Sequence, residues 1–275
     1  MSNDERQAAL RANIAAYGKF DERSYVNGAP HLKHPSIAQI YAGLVKEAIA
    51  TAGRDPKTLR VLELGAGNGL ASAPWFEARV KLTAVDSSDA MLGDLQARAA
   101  AYGAEATAIV ADAVGFLTSN GEKFDIVTHV SMLHHIPDYL QLLALSAAHV
   151  NEGGCLLTFQ DPLRYDRMPF GQHFADRLSY FIWRAAQGNV RRGLNTRWRR
   201  LRGVYSPRET VDFDEYHVVR NGVDSEAIVD LLARSFSTVR LVPYWSTYSR
   251  WLQSIGEQMP IASSFGVIAL GRRTG

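Results

Sequence analysis

The sequence predicts an α/β fold built on an open, mostly parallel sheet. Between residues 60 and 160, short apolar runs alternate with helical patterns, and each run is continuously apolar. Strands of that kind are covered on both faces, and such alternation is typical of parallel sheets with right-handed crossovers. The five runs are 60–64, 81–85, 106–110, 124–130 and 154–159, with helices expected between them near 69–79, 88–102 and 137–149.

The flanking segments predict two additions to this sheet. Before it, the periodicity indicates a helix at 4–16, a turn-rich loop at 17–35 and a helix at 36–52. After it, a helix at 224–235 precedes strands at 238–244 and 264–270, which we expect to form an antiparallel pair at the sheet edge. We therefore predict an N-terminal helical lid (1–57) and a main domain (58–275). An insertion at 162–222, with a helix near 172–187, would cover the active site.

The composition excludes several classes of protein. With 275 residues, 47% of them hydrophobic, the chain buries a sizeable core without disulfide or metal support. Its single cysteine, Cys155, excludes a disulfide framework and a cysteine-based zinc site. The N-terminus lacks the apolar segment of a signal peptide, and no apolar run approaches the roughly 18 residues needed to span a bilayer. We therefore expect a cytoplasmic protein without membrane contact.

The segment 61-VLELGAGNGL-70 predicts a nucleotide-binding turn. A buried strand leads into Gly65, Gly67 and Gly69, which permit a tight turn and close approach of a ligand. Asp86 closes the next strand, where a carboxylate can accept hydrogen bonds from ribose hydroxyls. Position 70 is leucine rather than the glycine or alanine of a dinucleotide fingerprint, and Glu63 would repel a pyrophosphate. Both details favour a ligand with a ribose and a cationic amino-acid end over NAD.

These blocks, together with 85-VDSSDAML-92, 111-ADA-113 and 130-VSMLHHI-136, resemble a class I S-adenosylmethionine-dependent methyltransferase. The motifs cover residues 58–160, and the topology extends the resemblance over 224–272. It implies a Rossmann-like, doubly wound sheet of seven strands in the order 3-2-1-4-5-7-6, with the last strand antiparallel. It also implies S-adenosylmethionine as cofactor, S-adenosylhomocysteine as product, and a cofactor site formed by Glu63, Gly65, Ala66, Gly67, Asp86, Ser87, Met91, Asp112, Ala113 and Val130.

Two histidines and a carboxylate are candidates for acid–base catalysis. His134 and His135 follow the fourth predicted strand, Asp161 follows the fifth, and these strands are neighbours in the implied order. A histidine with a carboxylate partner is a suitable general base near neutral pH. We prefer His135 as the base. One histidine could instead cap a helix or pack on the cofactor, and methyl transfer can also proceed by proximity alone.

Aromatic and histidine side chains in the lid and the insertion are candidate acceptor contacts. They are Tyr17, Phe20, Tyr25 and His31 in the first segment and Tyr165, Phe170, His173 and Trp183 in the second. Packing in the core is the alternative for each of them. His31 and His34 have the spacing of a metal pair, but no third ligand is apparent, so no metal is expected.

The stretch 184–202 contains seven arginines and no acidic residue. Three interpretations remain open: a solvated lid, recognition of an acidic substrate or acyl carrier, and contact with nucleic acid. The near-neutral net charge of +2 argues against nucleic acid. So does the fourth strand, which does not end in the Asn/Asp-Pro-Pro-aromatic motif of base-amino methyltransferases.

The sequence therefore predicts an enzyme that transfers a methyl group to the oxygen, nitrogen or carbon of a small metabolite. The aromatic side chains favour an aromatic or heteroaromatic acceptor, of the kind found in secondary metabolism. The alternatives are an RNA methyltransferase and a non-catalytic S-adenosylmethionine-binding protein. A homodimer is compatible with the sequence.

Overall fold

Seven strands form one sheet in the computed structural model, which describes residues 22–186 and 222–274. Their order is β3-β2-β1-β4-β5-β7-β6, which confirms the seven-stranded Rossmann-like topology. The strands are β1 (Arg60–Leu64), β2 (Lys81–Asp86), β3 (Glu105–Val110), β4 (Phe124–Val130), β5 (Val150–Pro162), β6 (Phe236–Tyr244) and β7 (Ser264–Arg272). Strand β7 runs antiparallel to both of its neighbours, and the other pairings are parallel, so the antiparallel last strand is confirmed as well.

Helices precede, connect and follow these strands. Within the described residues they are α1 (Glu22–Gly28), α2 (Pro30–Lys33), α3 (Pro35–Ala52), α4 (Ala73–Ala78), α5 (Asp89–Ala101), α6 (Ala113–Ser119), α7 (Tyr139–Ala148), α8 (Phe170–Ala186), α9 (Ser225–Ala233) and α10 (Arg250–Gly256). Asp112, Asp138 and Asp224 begin α6, α7 and α9 by accepting a hydrogen bond from a first-turn amide. None of the helices in the described ranges is long and apolar enough to cross a membrane.

Different helices cover the two faces of the sheet. On one face, Tyr41 of α3, Trp75 of α4 and Leu95 of α5 belong to one buried cluster. On the other face, Leu142 of α7 and Ile228 of α9 belong to a second. Burial on both faces explains why the strands are continuously apolar in sequence. It also leaves the edge formed by the carboxyl ends of the strands as the place where a ligand can bind.

The N-terminal segment differs from the predicted loop at 17–35. Helices α1 and α2 occupy most of its described part, and Pro30 and Pro35 stand in the first turns of α2 and α3. Proline is favourable there because the first amides of a helix have no intrahelical partner, so the prediction of a loop was wrong for the described part of 17–35. Helix α3 confirms the helix predicted at 36–52, whereas the helix predicted at 4–16 lies outside the described residues.

Helix α3 belongs to the core of the molecule. It buries Ile37, Leu44 and Ala48 and packs against β5 and β7. The segment predicted to be a lid, 1–57, thus contains a helix, α3, that packs directly on the sheet. Its described remainder, α1 and α2, precedes that helix.

Besides α1 and α2, two other short helices were not predicted. Helix α6 has the sequence AVGFLTS, whose glycine and threonine are weak helix formers. Helix α10 lies between β6 and β7, where the sequence predicted two consecutive strands without a helix between them.

The two ends of the predicted insertion lie next to each other at the end of β5. Strand β5 ends at Pro162, whose carbonyl accepts a hydrogen bond of 3.0 Å from the Val223 amide. Leu163 and Val223 form a parallel bridge beside it. Gly222 is required at this contact, because a Cβ there would lie 2.4 Å from the Leu163 carbonyl oxygen. Helix α8 agrees with the helix predicted near 172–187.

We predict that Gly256→Ala destabilises the protein. A Cβ at this position of α10 would lie 2.3 Å from the indole of the buried Trp245, so the indole or the helix must move. We expect the free energy of unfolding, measured by urea titration, to fall by about 1–3 kcal/mol.

Gly93→Ala is the matched control, because Gly93 lies within α5 and a Cβ there meets no atom within 4 Å. It should raise the free energy of unfolding by about 0.5–1 kcal/mol, since alanine favours a helix over glycine. Equal changes in the two variants would contradict the predicted overlap with Trp245.

Candidate active site

The turn after β1 has the backbone of a ligand-binding loop. Gly65, Gly67 and Gly69 all adopt positive φ angles of 69°, 52° and 78°, which favour glycine. The Gly65 amide donates a 2.8 Å hydrogen bond to the Val85 carbonyl of β2. A Cβ on Gly69 would lie 2.9 Å from the side chain of Leu95, so the third glycine lets α5 pack closely on the loop.

Asp86, at the end of β2, holds this loop. Its Oδ2 accepts a hydrogen bond of 2.9 Å from the Gly67 amide, and its Oδ1 accepts one of 2.9 Å from the Ser88 amide. Burial raises the pKa of Asp86, and the backbone amides act in the opposite direction. The carboxylate is therefore fixed at the edge of the cleft, where each oxygen retains acceptor capacity for a ligand.

Glu63 lies beneath the loop. It is 1% exposed and accepts a 2.5 Å hydrogen bond from the hydroxyl of Ser72. Burial raises its pKa to about 7, and the nearby Asp86 acts in the same direction. Glu63 does not line the cleft described below; its place along the methionine part of the cofactor, which the resemblance implies, stays a prediction.

A cleft opens at the carboxyl ends of β1, β2, β3 and β4. Eight of the ten predicted cofactor residues line it: Gly65, Gly67, Asp86, Ser87, Met91, Asp112, Ala113 and Val130. The other two, Glu63 and Ala66, are buried in and below the loop. Sequence reasoning missed Val85, Ala111, Ser131, Met132 and Ile136 as lining residues. Val85 ends a predicted strand, and Ala111, Ser131 and Met132 lie within two residues of the end of one, so their position was a usable indication; Ile136, six residues beyond the fourth strand, had none.

Tyr25 of α1 also lines the cleft, although the sequence placed it among the acceptor contacts. A Cβ on Gly67 would lie 3.8 Å from its hydroxyl oxygen. Burial raises its pKa to about 12, with smaller contributions from Asp86 and Glu63. An ion pair between Glu22 and Arg98 attaches α1 to α5, so this helix covers the glycine loop.

The predicted histidine–carboxylate pair is formed by His134. Its Nδ1 lies 2.8 Å from Oδ1 of Asp161, which also accepts a 3.1 Å hydrogen bond from the His134 amide. Burial raises the pKa of Asp161 to about 8 and lowers the pKa of His134 to about 3, so both groups favour their neutral forms.

His135, which the sequence analysis preferred as the base, takes a different position. It lines the cleft, and its Nδ1 has no hydrogen-bond partner within the described residues. The Leu133–His135 turn directs the two rings differently, although their centroids remain 4.1 Å apart. The carboxylate partner therefore belongs to His134.

Some of the other predicted acceptor residues lie at two places in the structure, and the rest lie outside the described residues. His31 is buried on α2, while the rings of Tyr165 and His173 stack with centroids 5.6 Å apart near the start of α8. Tyr17 and Phe20 lie outside the described residues, as does most of the arginine-rich stretch 184–202, and so do the side chains of Phe170 and Trp183.

The described residues contain no group of three or more side chains arranged to hold a metal ion. His34 donates a 2.7 Å hydrogen bond from Nε2 to the Thr247 carbonyl, which ties the start of α3 to the segment after β6. Cys155 is a free thiol within β5, and burial raises its pKa.

Glu63→Gln should change how stability depends on pH. The pKa of Glu63 is raised from 4.5 to about 7 in the folded state, so the folded protein binds this proton more tightly than the unfolded chain. The free energy of unfolding of the wild type should therefore fall as the pH rises through this window, by on the order of 3 kcal/mol.

The variant lacks this ionisable group. Between pH 5 and pH 8, its free energy of unfolding, measured by urea titration, should therefore fall less than that of the wild type. Glu122→Gln, at a side chain that is 61% exposed, is the control and should show no such gain. Parallel pH dependence in the wild type and Glu63→Gln would contradict the assignment.

Comparison with known sequences identifies relatives over part of the chain. The ubiquinone biosynthesis O-methyltransferase of Rhizobium leguminosarum bv. trifolii (strain WSM2304) is 31% identical over 118 residues, which are 40% of this chain and 46% of the relative. The protein of the same name from Rhizobium rhizogenes (strain K84) is 34% identical over 112 residues, 38% and 44% of the two chains. The chain thus matches somewhat less than half the length of these relatives.

Solved structures share the fold at low sequence identity. Magnesium protoporphyrin IX methyltransferase from Synechocystis PCC 6803, solved with bound S-adenosylhomocysteine, is 18% identical with a TM-score of 0.54, covering 96% of this chain and 93% of that one. The N-methyltransferase NodS from Bradyrhizobium japonicum WM9 is 14% identical with a TM-score of 0.55, covering 97% and 100%.

A family model described as a methyltransferase domain matches residues 37–209, more than half of the chain. The chain therefore belongs to this methyltransferase family, which confirms the resemblance to the class I enzymes.

Proposed function

We propose that the protein transfers a methyl group from S-adenosylmethionine to a hydroxyl group of a small aromatic metabolite. The observation that carries this proposal is the cleft in which the glycine loop and Asp86 lie beside the His134–Asp161 pair. Such a cleft can bind a nucleoside with a cationic end. His134 next to it can accept a proton from the second substrate. Family membership and the name of the curated relatives, O-methyltransferases, support the same activity.

The residues of the cleft fit the cofactor. Asp86 presents a fixed carboxylate to the ribose hydroxyls, and Asp112, at the end of β3, presents one to the adenine amino group. Met91 and Ala113 supply apolar walls for the base. Gly67 leaves the loop open on the cleft side, because a Cβ there would meet only the Tyr25 hydroxyl within 4 Å among the described residues.

The bound cofactor supplies an electrophilic methyl group on a sulfonium ion. His134 is unprotonated at neutral pH because burial lowers its pKa, and it takes the proton of the acceptor hydroxyl at Nε2. Oδ1 of Asp161 accepts a hydrogen bond from Nδ1 of His134 and so stabilises the imidazolium that forms when Nε2 takes this proton. Tyr25 and α1 cover the glycine loop and limit the access of water.

The acceptor atom, the kind of metabolism, the location in the cell and the oligomeric state are also parts of this proposal. The relatives act, by their name, in ubiquinone biosynthesis, which favours a phenolic oxygen as acceptor over the nitrogen and carbon alternatives. It also favours primary over secondary metabolism. The buried free thiol of Cys155 is compatible with a cytoplasmic location. Homodimer formation and any role of the arginine-rich stretch 184–202 in binding an acidic partner or RNA rest on sequence alone.

Asp86→Asn should weaken cofactor binding. The amide retains one acceptor oxygen but removes the charge and the second acceptor, and a charge-assisted hydrogen bond contributes about 1.5–3 kcal/mol. We expect the dissociation constant for S-adenosylhomocysteine, measured by calorimetry, to rise about tenfold to a hundredfold.

Asp89→Asn is the matched control, since Asp89 is an exposed acid three residues further along the chain. It should bind S-adenosylhomocysteine as the wild type does. Equal weakening in both variants would show that general charge, rather than the Asp86 contact, governs affinity. The absence of binding to folded wild-type protein would refute the proposed function.

His134→Gln should lower kcat while leaving cofactor affinity unchanged, because His134 moves the acceptor proton and does not line the cofactor cleft. General-base catalysis contributes roughly 10²–10⁴-fold, so we expect a loss of that order in steady-state turnover. Asp161→Asn should show a loss in the same direction.

His135→Gln tests the neighbouring ring. Because His135 lines the cleft, the variant should weaken cofactor binding and retain most of kcat. The opposite pattern, with kcat lost in His135→Gln and kept in His134→Gln, would return the role of base to His135.

A further inference from the structure

Ser131 follows β4 directly and lines the cleft in a backbone conformation that is unfavourable for serine. Its φ angle is 52°, in the left-handed region that L side chains rarely adopt and that glycine adopts freely. The neighbouring loop uses glycine for such angles, at Gly65, Gly67 and Gly69. Strained residues of this kind cluster at functional sites, so the presence of a side chain at position 131 requires a reason.

The two other non-glycine residues with a positive φ among the described residues have a structural reason for it. Arg79 ends α4, where a left-handed residue commonly closes a helix. Gln160 uses both ends of its side-chain amide to bind Tyr244 and Ser246. The Ser131 hydroxyl, in contrast, makes no hydrogen bond with the described residues, and its oxygen remains accessible. A ligand in the cleft can therefore reach it.

Contacts with both neighbouring strands fix the position of Ser131. Its amide donates a 2.7 Å hydrogen bond to the carbonyl of Phe159 in β5, next to the pairing of Val130 with Phe159. The following residue, Met132, packs on the end of β1, because a Cβ on Gly65 would lie 2.8 Å from its sulfur. The serine is therefore held rigidly where β1, β4 and β5 end, as a group that orients a substrate must be.

The sheet order β3-β2-β1-β4 places four lining residues in a row along the cleft: Asp112, Asp86, Gly65 and Ser131. The proposed function assigns Asp112 to the adenine and Asp86 to the ribose of the cofactor. The sulfonium is bonded to the ribose on the side away from the adenine, so the transferable methyl group lies beyond Asp86, toward β1 and β4. The acceptor oxygen must approach this methyl group in line with the breaking bond, which brings it to the end of the cleft where Ser131 lies.

We propose that Ser131 is an acceptor-binding residue whose hydroxyl donates a hydrogen bond to the oxygen that receives the methyl group. One lone pair of that oxygen accepts the hydrogen bond while another attacks the methyl carbon. The bond from carbon to sulfur breaks with its electron pair left on sulfur, and the acceptor proton goes to His134 as in the proposed function, on which this inference rests. Ser131 keeps its own proton and fixes the direction of attack, a role that offsets its backbone strain.

Ser131→Ala tests the contact, because it removes the hydroxyl and keeps the Cβ and hence the backbone strain. We expect kcat/KM for the methylation of catechol to fall about tenfold, while the dissociation constant for S-adenosylhomocysteine stays unchanged. Ser119→Ala is the control, since that exposed hydroxyl bonds carbonyls within α6 and does not line the cleft. Wild-type kcat/KM in Ser131→Ala would overturn the inference. Tenfold weaker binding of S-adenosylhomocysteine would also overturn it, by placing the hydroxyl on the cofactor.

Ser131→Gly separates the contact from the strain. It removes both, so kcat/KM should fall as in Ser131→Ala, whereas the midpoint of thermal unfolding should lie above that of Ser131→Ala. A glycine variant that is more stable and fully active would show that the serine serves no acceptor.

A binding measurement tests the inference without turnover. Calorimetric titration of catechol into protein saturated with S-adenosylhomocysteine should give a dissociation constant about tenfold higher for Ser131→Ala than for the wild type. Equal constants, or no binding of catechol to the wild type, would overturn the inference. Failure of the wild type to bind S-adenosylhomocysteine would separately refute the proposed function.

Discussion

The hydrogen bond from the Gly67 amide to the Asp86 carboxylate is the contact on which the cleft depends. It joins the turn after β1 to the end of β2, and it forms only because Gly67 adopts a positive φ. The second oxygen of Asp86 is held by the Ser88 amide, so the carboxylate cannot rotate away from the cleft. One side chain therefore fixes the loop and lines the cleft. Changes that affect recognition at this end of the site consequently act on the shape of the loop as well.

The contact between His134 and Asp161 depends on an irregularity in β5. The pairing of β5 with β7 shifts register between Phe159 and Asp161, and Gln160 adopts a φ of 65°. The Gln160 side chain accepts a hydrogen bond from the Tyr244 hydroxyl and donates one to Ser246. These contacts come from the end of β6 and the segment after it. Residues more than eighty positions away in sequence thus hold the bulge that turns Asp161 toward His134.

The sequence was sufficient for the sheet and for most of the residues that line the cleft, because both follow from local patterns. Apolar runs locate buried strands, and a glycine turn followed by Asp86 is contained within one βαβ unit. The partner of Asp161 could not be assigned in the same way. Whether His134 or His135 faces it depends on one short turn after β4 and on the bulge in β5, and neither has a periodic pattern. Tyr25 was assigned to the acceptor contacts within a predicted loop, and the structure places it on α1 and in the lining of the cleft.

The two ends of the site differ in charge, and this difference fits the chemistry of methyl transfer. Asp86 and Glu63 lie at the end where a cationic cofactor would enter, and either carboxylate can compensate its charge. His134 and Asp161 are neutral before the reaction, and in the proposed mechanism the acceptor proton converts His134 to an imidazolium that remains hydrogen-bonded to Asp161. Positive charge then passes from the cofactor side to His134 without a change in the net charge of the buried volume. Because creating net charge in a region of low dielectric is costly, a neutral pair beside an acidic cofactor site is an arrangement that lowers this cost.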